Sequence, residues 1–434
     1  MPRGRSLKQA STRSLGRLQP ERKDRLEAGL QTGKPFPLAR LDLTRWVALG
    51  RLGDEYGAFS PAVNNPREVG MVMLDRRRLL KGGVGAGASV LAASSGMANA
   101  TTPPSRNRIK VGQIGIGHNH GAAKMATFRK LSDLYEVVGV VESDAEWRKK
   151  RENDPAYRDL TWMTEEQLLN TEGLQVVAVE TDGPDLVSTA ARCIEAGMHI
   201  HLDKPGGESL SAFKSMLDEA GRRELTVQMG YMYRHNPAVQ FCLKAVREGW
   251  LGDVFEVHAV MSRKDGEPYR KWLSTFYGGA FFIFGCHLID LIVAMLGKPD
   301  HVTPFQRRTL PDADDLYDNG LAVLEYPRAT ATVRASVVEV EGYKRRQFVV
   351  CGTEGTIEIF PLEPPKLRLA LAHPREPFVR GYQDVELPPI PGRYDEQLAE
   401  LAKIVRGEME NPYPLSHDLS VQEALLAACG YPPE

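Results

Sequence analysis

The run Ile109-Lys110-Val111-Gly112-Gln113-Ile114 opens directly into Gly115-Ile116-Gly117-His118-Asn119-His120-Gly121, an apolar β-type segment emptying into a glycine-rich turn. Glycines 115 and 117 let the backbone bend sharply and approach an anion without a Cβ in the way. A helix starting near Asn119 would aim its free N–H groups at that anion. The spacing G-x-G-x-x-x-G is one residue longer than the usual dinucleotide fingerprint and is weak alone. A second unit strengthens it: Tyr135 to Val141 is another buried-type strand, and it ends at Glu142, 27 residues after Gly115. A carboxylate there can accept from a ribose hydroxyl and would repel a 2′-phosphate. The two units predict NAD as cofactor, with NADP as the alternative, and Gly115, Ile116, Gly117, His118 and Glu142 among its contacts.

From Lys110 to about Gly230, apolar runs at 109–114, 135–141, 175–180, 199–202 and 225–229 alternate with amphipathic stretches, the pattern of βα units in a parallel sheet. Helices are expected at Gln167 to Leu169, at Leu186 to Ala196 with Gly197 as its stop, and at Leu210 to Ala220 with Gly221 as its stop. After Asn236-Pro237 and a helix to Gly249, alternating runs at 253–262, 319–326, 330–338, 346–351 and 355–360 predict an antiparallel sheet. Helices near 280–296 and 393–406 would cover it, with loops or edges at Pro361 to Pro365 and Pro388 to Pro391. The expected architecture is an α/β Rossmann dinucleotide-binding domain over 101–235, followed by an α+β domain with a large, mainly antiparallel sheet over 236–434.

The segment before these domains reads differently. Asp75-Arg76-Arg77-Arg78-Leu79-Leu80-Lys81 precedes a mildly apolar, Gly-rich stretch and the small-residue site Ala98-Asn99-Ala100, the three parts of a twin-arginine export signal over 71–100. Cleavage is expected after Ala100, with delivery to the periplasm or beyond and the translocon as a transient partner. Residues 1–70, rich in Arg and without a sustained apolar period, read as a misassigned or disordered extension, with Met71 or Met73 as the true start. Because that route moves folded proteins and nicotinamide cofactors are made inside the cell, the cofactor would be loaded before export.

Of 55 Lys and Arg and 56 Asp and Glu, residues 1–100 hold 17 and 8, leaving 38 against 48 in the remainder. An acidic body without a basic stripe argues against nucleic acid as a ligand. The five cysteines are scattered and never cluster with each other or with histidine, so neither a disulfide framework nor a zinc site is expected. No stretch reaches the unbroken apolar length of a membrane span.

Asp203-Lys204-Pro205 follows the strand His199-Ile200-His201-Leu202, which places Lys204 at the carboxyl end of a sheet strand, on the same rim as the glycine loop. A lysine there can polarise a carbonyl or alcohol oxygen as hydride moves, or bind ribose. With Gly-Ile-Gly at 115–117, Val140-Val141-Glu142, Glu195-Ala196-Gly197-Met198-His199, Tyr233-Arg234-His235-Asn236-Pro237, Gly285-Cys286-His287-Leu288-Ile289-Asp290 and Gly352-Thr353-Glu354-Gly355, the chain over 109–431 resembles the glucose-fructose oxidoreductase, inositol dehydrogenase and rhizopine-catabolism family, Gfo/Idh/MocA.

The resemblance implies a dinucleotide domain, a sheet domain that mediates homo-oligomers, and action on sugars, cyclitols or their derivatives. It places the family lysine on Lys204, with Asp203 replacing a glutamate, and the motif G-x-H-x-x-D on Gly285, His287 and Asp290. His287 would take the proton of a substrate hydroxyl, Arg234 and Asp290 would bind substrate, and Thr181, Asp203 and Lys204 would touch the cofactor. Two family groups are missing: an Asp is Ile283 here, and a His is Leu186. His118, His120, His235 or the pair Asp182 and Asp185 are the available substitutes. His118, Asn119 and His120 read as a polar lining beside the cofactor, and no metal is expected. The expected activity is NAD(P)-dependent oxidation of a CH–OH group. An NAD-dependent glycosidase with transient oxidation, and a non-catalytic carbohydrate-binding or scaffold protein, are the rivals.

Overall fold

The computed structural model describes residues 108–432; the twin-arginine segment, its cleavage point and the extension 1–70 lie outside the described residues. Strand β1 (Ile109–Ile114) is buried on both faces, as a central strand covered by helices must be. It is followed by α1 (Gly121–Lys130), β2 (Tyr135–Val141), α2 (Ala145–Arg151), β3 (Trp162–Met163), α3 (Glu165–Leu169), β4 (Leu174–Val179), α4 (Gly183–Glu195), β5 (His199–Leu202), α5 (Leu210–Arg222) and β6 (Val227–Met229). All neighbouring pairs are parallel, and the order β3-β2-β1-β4-β5-β6 reverses direction between β1 and β4. Ligands of such sheets bind at that switch point, outside the carboxyl ends of the strands. Gly115, Thr181 and Lys204 follow β1, β4 and β5 and therefore share that rim.

The second half runs α6 (Pro237–Arg247), β7 (Val254–Ser262), α7 (Glu267–Leu273), α8 (Gly279–Leu296), β8 (His301–Arg307), β9 (Asn319–Glu325), β10 (Thr330–Ser336), β11 (Gln347–Gly352), β12 (Gly355–Leu362), β13 (Pro365–Leu371), β14 (Gly381–Val385), α9 (Asp395–Val405) and α10 (Leu415–Cys429). Its eight-stranded sheet has the order β14-β13-β12-β11-β7-β10-β9-β8. Every pair is antiparallel except β7 with β10, which run parallel, so the sheet is mainly antiparallel as the sequence pattern predicts. Helix α8 is apolar all round and packs against β7, β9, β10, α6 and α10. Its mean hydropathy of 2.1 would suffice for a membrane span, but 83% of it is buried within the fold, which makes it a core helix.

The last two helices return to the first half. Gln228 Nε2 donates to the Gln397 carbonyl at 3.0 Å, Gln397 Nε2 donates to the Met229 carbonyl at 2.9 Å, and the Tyr135 hydroxyl donates to the Leu398 carbonyl at 2.6 Å. From α10, the Gln422 side chain accepts from Gly206 N at 3.0 Å and donates to the Gly207 carbonyl, clamping the loop that carries Lys204. The chain segment 395–429 thus completes the dinucleotide half as well as its own. The five cysteines are free, and four of them are buried.

Candidate active site

Gly115 has φ +89°, and a Cβ on it would stand 2.5 Å from the backbone nitrogen of Thr181. Only glycine can hold this left-handed position while β1 and β4 splay apart around it. Beyond it α1 begins at Gly121 with no side-chain cap; the His120 and Gly121 amides turn back onto His118, at 3.3 Å from its Nδ1 and 3.1 Å from its carbonyl. A cleft of about 650 Å³ opens here, lined among others by Gly115, Gly117, Glu142, Asp144, Arg148, Thr181 and Asp185. Glu142 accepts from Ile116 N and from Asp144 N, both at 2.9 Å, so its carboxylate braces the glycine loop from the end of β2. The buried Thr181 hydroxyl has no hydrogen-bond partner among the described residues. An uncapped helix, a glycine cradle, a carboxylate at the second strand end and an orphaned hydroxyl are the donor set that a dinucleotide requires, and the residues fit it.

Thr181 also lines a second, smaller cavity, where His118, Leu186, Asp203, Lys204, Trp272, Phe276 and Ile283 meet. Both positions at which the family's polar groups are missing, Leu186 and Ile283, therefore face the same space. It holds only about 10 Å³, room for one water. Phe276 presses against the β4–α4 turn, where a Cβ on Gly183 would lie 2.4 Å from its ring. Trp272 stacks edge-on to Phe276 at 5.1 Å and approaches the His118 ring at 6.3 Å.

Asp203 organises the wall of this cavity. It pairs with His118 Nδ1, lies 3.3 Å from His120 Nδ1 and 3.2 Å from Lys124 Nζ, and accepts from its neighbour's backbone, Lys204 N, at 2.8 Å. Burial would raise its pKa, but His118 and Lys124 outweigh burial and hold it well below the ordinary carboxylate range. Lys124 also donates to Glu180 at 2.8 Å; burial pushes it down, yet Asp203 and Glu180 together keep its pKa above that of a free lysine. Burial raises Glu180 well above the usual value. The cluster thus sets one ammonium between two buried carboxyl groups whose pKa values are shifted in opposite directions, Asp203 down and Glu180 up. Burial lowers the His120 pKa to about 3, so this ring is neutral at ordinary pH. The donor atoms of His118, His120 and Asp203 lie within 4.8 Å of one another, close enough for a metal ion, but Lys124 already supplies the cation at that carboxylate.

Lys204 is 4% exposed and extends across to α8, where its Nζ donates to the Ile283 carbonyl at 3.2 Å. It faces the cavity as the sequence predicts, tethered to the helix that should oppose it. His287 lies one turn further along α8, 2% exposed, between the rings of Tyr231 and Tyr233 at 5.9 and 5.5 Å. Its Nδ1 has no partner among the described residues, and burial, then Lys204, keep its pKa well below that of a free histidine. It is a neutral base, but it is not on the cavity wall.

Arg234 and Asp290 do not present themselves to substrate. The guanidinium is 2% exposed and donates to Asp290 at 2.6, 3.0 and 3.2 Å and to Asp418 at 2.6 Å, while stacking 3.8 Å from the Tyr413 ring centroid. His417 Nε2 closes the group at 2.9 Å from Asp290. Where the sequence reading expects Arg234 and Asp290 at the substrate, the structure holds them in an internal ionic knot that joins the short turn Met232–His235 to α8 and α10. Asp182 and Asp185 line the open cleft rather than the cavity, and His235 sits 3.5 Å from Glu400, so none of the three replaces the missing groups. Sequence reading missed Lys124, Glu180, Trp272 and Phe276; the helical spacing of Lys124 from the glycine loop was the only available signal for the first.

Comparisons with known proteins agree with this geometry. Residues 109–231 match the oxidoreductase family with an NAD-binding Rossmann fold, and residues 239–358 match the GFO/IDH/MocA C-terminal domain. The chain is 28% identical to the uncharacterized oxidoreductase YhhX of Escherichia coli (strain K12) over 270 residues, 61% of this chain and 75% of that one. It is 25% identical over 267 residues to a trans-1,2-dihydrobenzene-1,2-diol dehydrogenase of Bos taurus, 60% of this chain and 74% of that one. In fold it is similar to an aldose-aldose oxidoreductase from Caulobacter crescentus complexed with glycerol, with a TM-score of 0.63, 19% identity, and coverage of 74% of this chain and 98% of that one. A strand-loop-helix cradle built for a dinucleotide and two consecutive domain matches lead to one conclusion: the chain belongs to the Gfo/Idh/MocA family and is an NAD(P)-binding oxidoreductase.

Proposed function

We propose that this oxidoreductase oxidises a CH–OH group of a sugar, cyclitol or related polyol, and that it works outside the cytoplasm with its dinucleotide loaded before export. The observation that supports the substrate reading is the shared wall at Thr181: the open cleft and the small cavity meet there, and Lys204 and His118 line the cavity side of it. The diol dehydrogenase already described and a scyllo-inositol 2-dehydrogenase (NADP(+)) of Bacillus subtilis, 23% identical over 198 residues (45% of this chain and 54% of that one), support a hydroxylated ring as substrate. The export reading rests on the Arg76 to Ala100 segment alone.

When bound, the nicotinamide supplies the acceptor for a hydride. The protein's own groups do the rest. Lys204 presents an ammonium to the alcohol oxygen and stabilises the negative charge that grows there as the C–H bond breaks. The aromatic wall of Trp272 and Phe276 excludes water from that oxygen, and such faces also suit the apolar side of a sugar ring. Glu142, at the ribose end, favours the unphosphorylated dinucleotide.

The test is to purify the mature protein, release its nucleotide by denaturation, and follow the reduced-nicotinamide absorbance of the native protein on addition of sugars and polyols. Co-purified NAD that is reduced by one member of the panel is expected. A nucleotide-free protein that reduces neither NAD nor NADP with any of them would overturn the reading, and phenol release from aryl glycosides without net reduction would replace it with the glycosidase.

A further inference from the structure

His118 is the histidine that reaches the reaction space. It lines the small cavity together with Lys204 and the two positions, Leu186 and Ile283, where polar groups are missing. Its Nδ1 meets Asp203, a carboxylate fixed by Lys124 and by the Lys204 backbone amide, and has the His120 amide nitrogen 3.3 Å away. A ring held through Nδ1–H carries its lone pair on the opposite nitrogen, Nε2, and an adjacent carboxylate stabilises the imidazolium formed when Nε2 takes a proton. His287, by contrast, is packed between Tyr231 and Tyr233 away from that wall.

We infer that the His118–Asp203 pair is the acid–base group of this enzyme, with His118 catalytic and Asp203 its positioning residue, in place of the groups missing from α4 and α8. The inference rests on the dehydrogenase reading above. In the oxidising direction the hydroxyl proton passes to His118 Nε2, the O–H electron pair forms the C=O bond, and the C–H bond leaves with its electrons as hydride to the bound oxidised nicotinamide. The products are a carbonyl compound, the reduced dinucleotide and an imidazolium paired with Asp203; in the reverse direction each transfer runs backwards.

The experiment compares wild type, H118Q, H118A and H287Q as loaded enzymes, after thermal unfolding has shown each to be folded. Expected are a loss of hydride transfer of about a hundredfold or more in H118Q and H118A at saturating dinucleotide, partial recovery of H118A by added imidazole, and a smaller loss in H287Q. A readout independent of turnover is nitrogen-15 NMR of the dinucleotide complex, with His118 assigned from H118Q: Nδ1 protonated and Nε2 bare are expected. An active wild type whose H118Q keeps its rate while H287Q loses it, or a neutral His118 protonated at Nε2, overturns this assignment alone. A wild type that oxidises no polyol overturns the reading beneath it.

Discussion

Replacing Arg234 with alanine separates two roles that the sequence alone could not. The guanidinium is buried and compensates two carboxylates at once, Asp290 and Asp418. Burial would raise Asp290, but Arg234 holds it below the usual range, whereas burial keeps Asp418 above it even with Arg234 present. Breaking a buried ion pair from one side costs about 3–5 kcal/mol, because the abandoned charge stays buried. Unfolding of the 325 described residues carries an entropy of roughly 0.7 kcal/mol per degree, so the loss corresponds to a fall in Tm of about 4–7 °C. The assay is far-ultraviolet circular dichroism melting beside dinucleotide binding, which should stay near wild type since the knot lies away from the glycine loop. Replacing the whole group by R234M, D290N and D418N together should recover part of the loss, since no unpaired charge remains. A Tm within about 1 °C of wild type combined with abolished turnover would refute the argument and return Arg234 to a substrate-binding role.

Two further outcomes follow from the same coordinates. Burial lowers His120 and His201 to about 3 and His235 to about 4, so the unfolded chain binds protons that the folded chain refuses below the ordinary histidine value near 6.5. Stability is then fully present above that pH and falls as the pH drops, by up to about 1.4 kcal/mol per unit per histidine, partly offset by Glu180 and Asp418, whose raised values act in the opposite sense; urea unfolding at pH 7 and pH 5 that shows no loss would contradict the neutral assignments. Gly115→Ala should weaken dinucleotide binding by about tenfold or more, since the strain of about 1–2 kcal/mol adds to a collision with the backbone of Thr181, whereas Gly197→Ala, at φ +85° with open space around it, should carry the strain without the binding defect; calorimetric titration with NAD distinguishes them, and equal affinities would remove Gly115 from the cradle.

The dinucleotide half was readable because its signals are local. β1, β2 and β5 stand where the apolar runs place them, and the glycines and Glu142 fall within one turn of the strand ends. What escaped was short or distant. β3 is two residues long, below any periodicity, and it exists because it pairs with Val140 and Val141. β13 alternates apolar with polar residues beside the edge strand β14, and α10 follows a proline and distributes its apolar side chains around the helix because it is buried between α5, α8 and β8. The site divided the same way. His118, Asp203 and Lys204 could be placed on one rim from their positions after β1 and β5. The partnership of Arg234 with Asp418, 184 residues apart, has no local trace, and neither does the aromatic closure by Trp272 and Phe276.

The clamp of Gln422 on Gly206 and Gly207 carries a consequence for biosynthesis. The lysine-bearing turn owes its fixed shape to a helix 216 residues further along the chain, so during synthesis the sheet and the glycine cradle emerge long before the turn can be clamped. A polypeptide cut within α10 before Gln422 loses the geometry of the turn together with the helix.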